Sequence, residues 1–339
     1  MVLSVIHAKK STSLRLSRMG QLLLLVVVVF LLLGSGAPLA KDASDDNAAN
    51  PRANFWRAVR QGVDGETTAQ GQERGVLIQN GGENWRRIRN GLVAGIGPWV
   101  LAAVFLMIAL FFLIKGQDKL EEPPSGELLD RWSSAERWLH WVTALLFIVM
   151  AITGLSMLFG RAVLIPVFGH RAFSGYLGAA MQIHNYAGPF FLALIVIEAI
   201  AWVRENIPKR MDLVWFKTLG GMIGHGPRPH AEKINAGAKG WFWAVLLAGL
   251  TVGVTGVIMD CPNLGASRWV RQVANIIHAT VAILFVAGSF GHIYIGTIGA
   301  QGTFEGMWTG RVSAQWAKQH QDLWYADQVK MGTQGASSR

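Results

Sequence analysis

Five apolar runs, at about 94–114, 138–159, 184–203, 241–259 and 274–297, leave this 339-residue chain few ways to fold. Each is long enough to cross a hydrocarbon core roughly 30 Å thick. Lipid offers no water to the backbone, so each run has to satisfy its own N–H and C=O groups as a helix. Hydrophobic residues make up 51% of the chain and charged residues 15%, too few charges for a soluble domain of this length. The reading is an all-α integral membrane protein. A four-helix transmembrane core spans 134–297, with one extra N-terminal transmembrane helix at 94–115 and a signal-like segment before it.

The single cysteine, Cys261, excludes a disulfide framework, a Cys-ligated iron–sulfur cluster and covalent c-type haem. The net charge of +10 would suggest nucleic acid in a soluble protein. Here it reads as Lys and Arg at membrane edges, with membrane lipid and no nucleic acid as the partner. Many of the 14 tryptophans lie at span ends, among them Trp99, Trp138, Trp141, Trp202, Trp241 and Trp243, where an interfacial aromatic belt accounts for them.

Residues 1–40 carry Lys9, Lys10, Arg15 and Arg18 ahead of QLLLLVVVVFLLLG and SGAPLA. That pattern reads as a signal peptide cut after Ala37 or Ala40, or as an uncleaved anchor. Residues 41–93 read as a periplasmic extension, with a strand or turn in GVLIQNGGENWRRIRNG, serving either as a plain extension or as a docking surface. Residues 116–133 read as a polar cytoplasmic linker and 298–339 as a cytoplasmic tail. Lys and Arg number seven in 204–240 and four each in 115–137 and 298–339, against two each in 160–183 and 259–273. The positive-inside rule therefore puts 115–137, 204–240 and the C-terminus in the cytoplasm of a bacterial inner membrane, as the signal-like start also does. No internal repeat is evident.

Of nine histidines, five (His7, His170, His225, His230 and His320) fall in the signal, the connections or the tail. The other four, His140, His184, His278 and His292, lie in or at the edge of apolar spans. His278 and His292 share IIHATVAILFVAGSFGHIYIG; fourteen residues of α-helix separate them by about 21 Å of axial rise and about 40° of rotation, so both occupy one face. Span directions put His140 and His292 at cytoplasmic depth, and His184 and His278 at periplasmic depth. Two histidine pairs stacked in a helical bundle are the ligand set of a b-type cytochrome with two haems, and bis-histidine iron is suited to electron transfer. Gly154, Gly188, Gly288 and Gly291 would leave room for flat porphyrins.

Other chemistries remain open. One zinc or copper ion cannot be shared by His278 and His292 across about 21 Å. A haem-free anchor or a transporter could use buried histidines as a proton relay. Glu198, fourteen residues after His184, is then the main acidic candidate; alternatively it snorkels toward Arg204.

The stretches RWLHWVTALLFIVMAITGLSML, HNYAGPFF, RENIPK, EKINAGAKGWFW, TGVIMD, IIHATVAILFVAGSFGHIYIG and GTFEGMWTGRVSAQWAKQHQDLWY, over about 131–328, resemble the gamma subunit of respiratory formate dehydrogenases, a cytochrome b membrane anchor. The resemblance is to its longer form, with an N-terminal extension. It implies haem ligation by His140, His184, His278 and His292, paired His140/His292 and His184/His278. It also implies a quinone site beside the cytoplasmic haem, near His292 and Asn235 and Gly237 of the NAG turn, although Asn-x-Gly at a helix entry also serves as a cap.

The resemblance further implies an iron–sulfur beta subunit and a molybdenum or tungsten alpha subunit as partners, with formate oxidised on the latter. This chain would be the electron-transferring, quinone-reducing subunit of the enzyme. The rival donor is a hydrogenase or another oxidoreductase, whose cytochrome b anchors carry similar histidine helices.

Overall fold

A computed structural model of the chain describes residues 80–221 and 228–337, together with residues 57 and 61. The signal-like segment and most of the 41–79 stretch lie outside the described residues. The chain winds from α1 (Asn80–Arg87) through a π-helical turn (Ile88–Val93) into α2 (Ala94–Lys115). After β1 (Leu128–Asp130) come α3 (Ser134–Val163) and α4 (Ile165–Trp202), a short α5 (Asp212–Thr218), α6 (Ala236–Asp260) and α7 (Arg268–Tyr294). The chain closes with α8 (Thr303–Thr309), β2 (Arg311–Ser313), α9 (Ala314–His320) and α10 (Asp322–Ser337). Five helices are long and apolar enough to cross a membrane: the α1–α2 rod, α3, α4, α6 and α7 with its π-helical end.

Local chemistry sets the helix starts. Ser133 accepts from the Glu136 N–H while Glu136 accepts from the Ser133 N–H, a reciprocal capping box that opens α3. Asn235 accepts from Ala238 N at 2.9 Å to open α6, and Ser267 caps α7. The helices run past the apolar runs at both ends. α4 in particular begins at Ile165 and not near 184, and is interrupted at Gly169, whose φ of 77° lies in the left-handed region. GVLIQNGGENWRRIRNG, expected to hold a strand or turn, is helical from Asn80 onward. Trp85 Nε1 donates to Asn275 Oδ1 on α7 at 3.2 Å, fastening the rod to the bundle.

α3 packs on α4, α4 on α6, α6 on α7, and α7 touches α3, closing a four-helix ring; α2 lies outside it against α7. Lipid-side residues stay exposed, as Leu145 at 65% and Ile200 at 75%. Small residues bring the helices together, as expected where no water drives association. A Cβ on Gly160 would stand 2.5 Å from the Phe173 ring, and one on Gly253 2.5 Å from Leu192.

The stretch read as a plain polar linker is a structural partner of the tail. β1 pairs antiparallel with β2, Leu129 opposite Val312. Leu120 and Leu129 pack on Val312, Trp316, Ala317 and Trp324. Arg228 makes a two-pronged ion pair with Asp118 at 2.8 and 3.0 Å. This sheet-bearing cap defines one end of the bundle. On the same end, buried Lys239 of α6 bonds Asp212 of α5 at 3.0 Å, holding α5 against the α6 entry.

Candidate functional site

The four span histidines meet as two pairs. His140 of α3 faces His292 of α7 with ring centroids 6.1 Å apart, and His184 of α4 faces His278 of α7, also at 6.1 Å. The first pair lies toward the sheet-bearing end and the second toward the opposite end. A metal–imidazole bond of about 2.0 Å, with the ring centre about 1.1 Å behind its nitrogen, sets two imidazoles on opposite sides of one metal about 6.2 Å apart. Among the described residues, no group of three His, Cys, Asp or Glu side chains is placed to hold a metal ion. Each pair could hold the iron of a haem between its two imidazoles, and neither fits a bare ion needing three or four protein ligands.

Hydrogen bonds around the second pair fit the same ligation. His184 Nδ1 lies 2.8 Å from Thr153 Oγ1 of α3, and His278 Nδ1 lies 3.1 Å from Thr255 Oγ1 of α6. Each threonine hydroxyl gives its own proton to the carbonyl four residues back, Val149 at 2.7 Å and Thr251 at 2.6 Å. The oxygens therefore accept from Nδ1–H, which leaves the Nε2 lone pair as the free ligand of each ring.

The first pair is dressed differently. His140 Nδ1 is buried with no hydrogen-bond partner. His292 lies flat against Trp241 of α6, centroids 5.0 Å apart and planes 13° from parallel. Midway between the pairs, Phe147, Phe191 and Phe285 meet in a layer, with Phe147 and Phe285 centroids 4.7 Å apart. Phe285 is seven residues from each α7 histidine, so about 10 Å of helix separates it from either. The layer keeps the space between the pairs apolar.

The remaining residues singled out in the sequence are scattered around this frame. Gly154 sits against His184, where a Cβ would stand 3.1 Å from ring Cε1; Gly288 sits under Trp241 and Gly188 beside Met150, while Gly291 opens on free space. Asn235 and Gly237 are at the α6 entry on the sheet-bearing end. Asn235 spends its Oδ1 as the helix cap, and a Cβ on Gly237 would strike Trp215 of α5 at 2.4 Å. Glu198, on α4, is buried at 9% exposure.

The residues missed in the sequence are Thr153, Thr255, Gly256 and Trp241. The signal for the first three corrects the reading that the sequence has no internal repeat: a short one is present, ITGLSM (152–157) in α3 and VTGVIM (254–259) in α6. Each places its threonine against a histidine of the following span. The repeat is only six residues long, and the distance from threonine to histidine differs, 31 residues in one copy and 23 in the other.

Comparison with known proteins agrees with this architecture. The formate dehydrogenase cytochrome b556(fdo) subunit of Escherichia coli K12 is 28% identical over 200 residues, covering 58% of this chain and 92% of that protein. The nitrate-inducible formate dehydrogenase cytochrome b556(Fdn) subunit of the same strain is 27% identical over 208 residues, covering 60% and 92%. A formate dehydrogenase cytochrome b556 subunit of Haemophilus influenzae is 29% identical over 205 residues, covering 59% and 83%. The prokaryotic cytochrome b561 family matches residues 131–310, a stretch that holds both histidine pairs and more than half of the chain. This chain belongs to the prokaryotic cytochrome b561 family.

Proposed function

We propose that the chain is the cytochrome b subunit of a membrane-bound formate dehydrogenase, carrying electrons from catalytic and iron–sulfur partners across the membrane to quinone. The observation that carries the reading is the pair of 6.1 Å imidazole gaps at two depths of one bundle. The formate dehydrogenase subunits named above support the choice of donor. His140 with His292, and His184 with His278, would hold two b-type haems through their imidazole nitrogens. When bound, these groups supply reversible one-electron chemistry, which the protein itself lacks.

The chain's own residues do the rest. Thr153 and Thr255 hold the second pair's rings in the tautomer that presents Nε2. The phenylalanine layer excludes water between the sites. The sheet-bearing end, with its Lys and Arg excess, is assigned to the cytoplasm of a bacterial inner membrane, along with the C-terminus. The His184/His278 end then faces periplasmic partners, an iron–sulfur subunit and a molybdenum or tungsten subunit that oxidises formate.

Quinone is placed at the cytoplasmic end near His292. Each quinone takes two electrons and two protons, and the adjoining aqueous face provides the protons. Asn235, whose Oδ1 is committed to the helix cap, offers its Nδ2 as a donor to a quinone carbonyl. Gly237 lets Trp215 close over the α6 entry beside it.

The test is an anaerobic difference spectrum of the purified complex, with formate as reductant and dithionite defining total haem. Two b-type haems per chain, largely reduced by formate, is the expected result. Two haems reducible only by dithionite would move the chain to another donor, such as a hydrogenase. Absence of haem would overturn the reading and return the four histidines to helix packing or proton relay.

A further inference from the structure

We infer that Thr153 and Thr255 make the His184/His278 site the lower-potential site of the two, so that the transfer from it to the other site runs downhill. The inference rests on the assignment of the four histidines as haem ligands. Its evidence is the contrast between the two pairs.

At the His184/His278 pair both rings donate Nδ1–H to a threonine oxygen, at 2.8 and 3.1 Å. These oxygens are firm acceptors, because each hydroxyl proton is already committed to a backbone carbonyl of its own helix. The glycine after each threonine lets the ring come in: a methyl on Gly154 would crowd Cε1 at 3.1 Å, and one on Gly256 would touch it at 3.5 Å. Threonine and glycine thus act as one unit, present once in each hairpin.

At the other pair the unit is missing. His140 Nδ1 is buried without an acceptor, and His292 is held by stacking on Trp241. A hydrogen bond accepted from Nδ1–H pushes electron density onto Nε2 and makes the imidazole a stronger donor. A stronger donor stabilises oxidised iron over reduced iron and lowers the potential of the site. Two such bonds at one end and none to His140 at the other slope the pair downhill toward the sheet-bearing end. Under the proposed orientation electrons travel inward against the membrane potential, so a built-in slope has a use.

Thr153 and Thr255 are positioning residues, and a potential reads their effect where activity alone cannot. The experiment is an optical redox titration of the purified, full-length complex, comparing T153V, T255V and the double variant with T153S and T255S. His278→Ala identifies which component belongs to that site.

Valine keeps the shape and removes the threonine acceptor. The double variant is therefore expected to raise the lower midpoint by a tenfold change in the reduction equilibrium, 59 mV for one electron. The higher midpoint stays in place, and the serine variants track the unmodified protein. T153V, with the shorter bond, should shift more than T255V; if T153V loses its haem, T255V carries the test.

Two bound haems with an unmoved lower midpoint would overturn the inference, as would equal movement of both midpoints or serine variants that behave like valine. Failure of the underlying ligand assignment is distinguishable: the unmodified protein would lack haem, or His278→Ala would remove neither component.

Discussion

Replacing the four histidines one at a time, and then in pairs, examines the arrangement most directly. The ring gaps are 6.1 Å within each pair. Between pairs, fourteen residues of α7 impose about 21 Å of helix rise. Under the proposed ligation, removing one imidazole would leave its partner to hold the group alone in an apolar bundle, while the distant pair would keep both ligands. Each single alanine variant should therefore fall from two haems per chain to one, halving the total haem absorbance.

Because partners act as a unit, effects should be strongly non-additive. H184A/H278A should still hold one haem and H140A/H292A the other, whereas H140A/H278A and H184A/H292A should hold none. The assay is haem per polypeptide on detergent-purified protein, with difference spectra to tell the components apart and size-exclusion chromatography to confirm intact protein. A well-folded H184A/H278A variant without haem would refute the pairing, as would H140A and H184A losing the same spectral component.

Three further outcomes concern the scaffold. K239M should destabilise the solubilised protein by about 3–5 kcal/mol, because it strands the carboxylate of Asp212, only 8% exposed, without its partner; thermal unfolding should show K239M/D212N recovering most of that loss. S133A should cost about 1 kcal/mol by removing the α3 cap, read in the same assay. Burial pushes the His320 imidazole down to about 4, opposed by Asp118 and reinforced by Arg228 and Arg131. An unfolded histidine titrates near 6.5, so this contribution is complete above about pH 6.5 and is lost as pH falls from there through about 4; H320Q should flatten that part of a stability–pH profile.

Much of this protein is legible in its sequence. Bilayer thickness and the cost of an unpaired backbone group in lipid are properties of segments, so five apolar runs are enough to specify five helices. The fourteen-residue spacing of His278 and His292 likewise fixes their common face before any tertiary contact is known. The helix ends were less legible, because hydropathy registers the lipid-matching part alone. α4 gains a further stretch from Ile165, rich in small and aromatic residues, and α1 extends α2 backward through polar sequence. The segment at 118–130 reads as a linker because its two prolines and charges carry no periodicity, yet its partners lie some 180 residues away in the tail.

The sequence by itself determined the five long apolar helices and which side chains were candidates to bind iron. Tertiary structure alone decided that His140 lies 6.1 Å from His292, that Thr153 and Thr255 serve the histidines of neighbouring helices, and that Trp241 stacks on His292. The physical reason is range. Hydrophobic length and helical phase act within one segment, whereas a hydrogen bond or ring contact between helices depends on how two faces are rotated and how closely glycines let them approach. That rotation is set by the packing of the whole ring of helices.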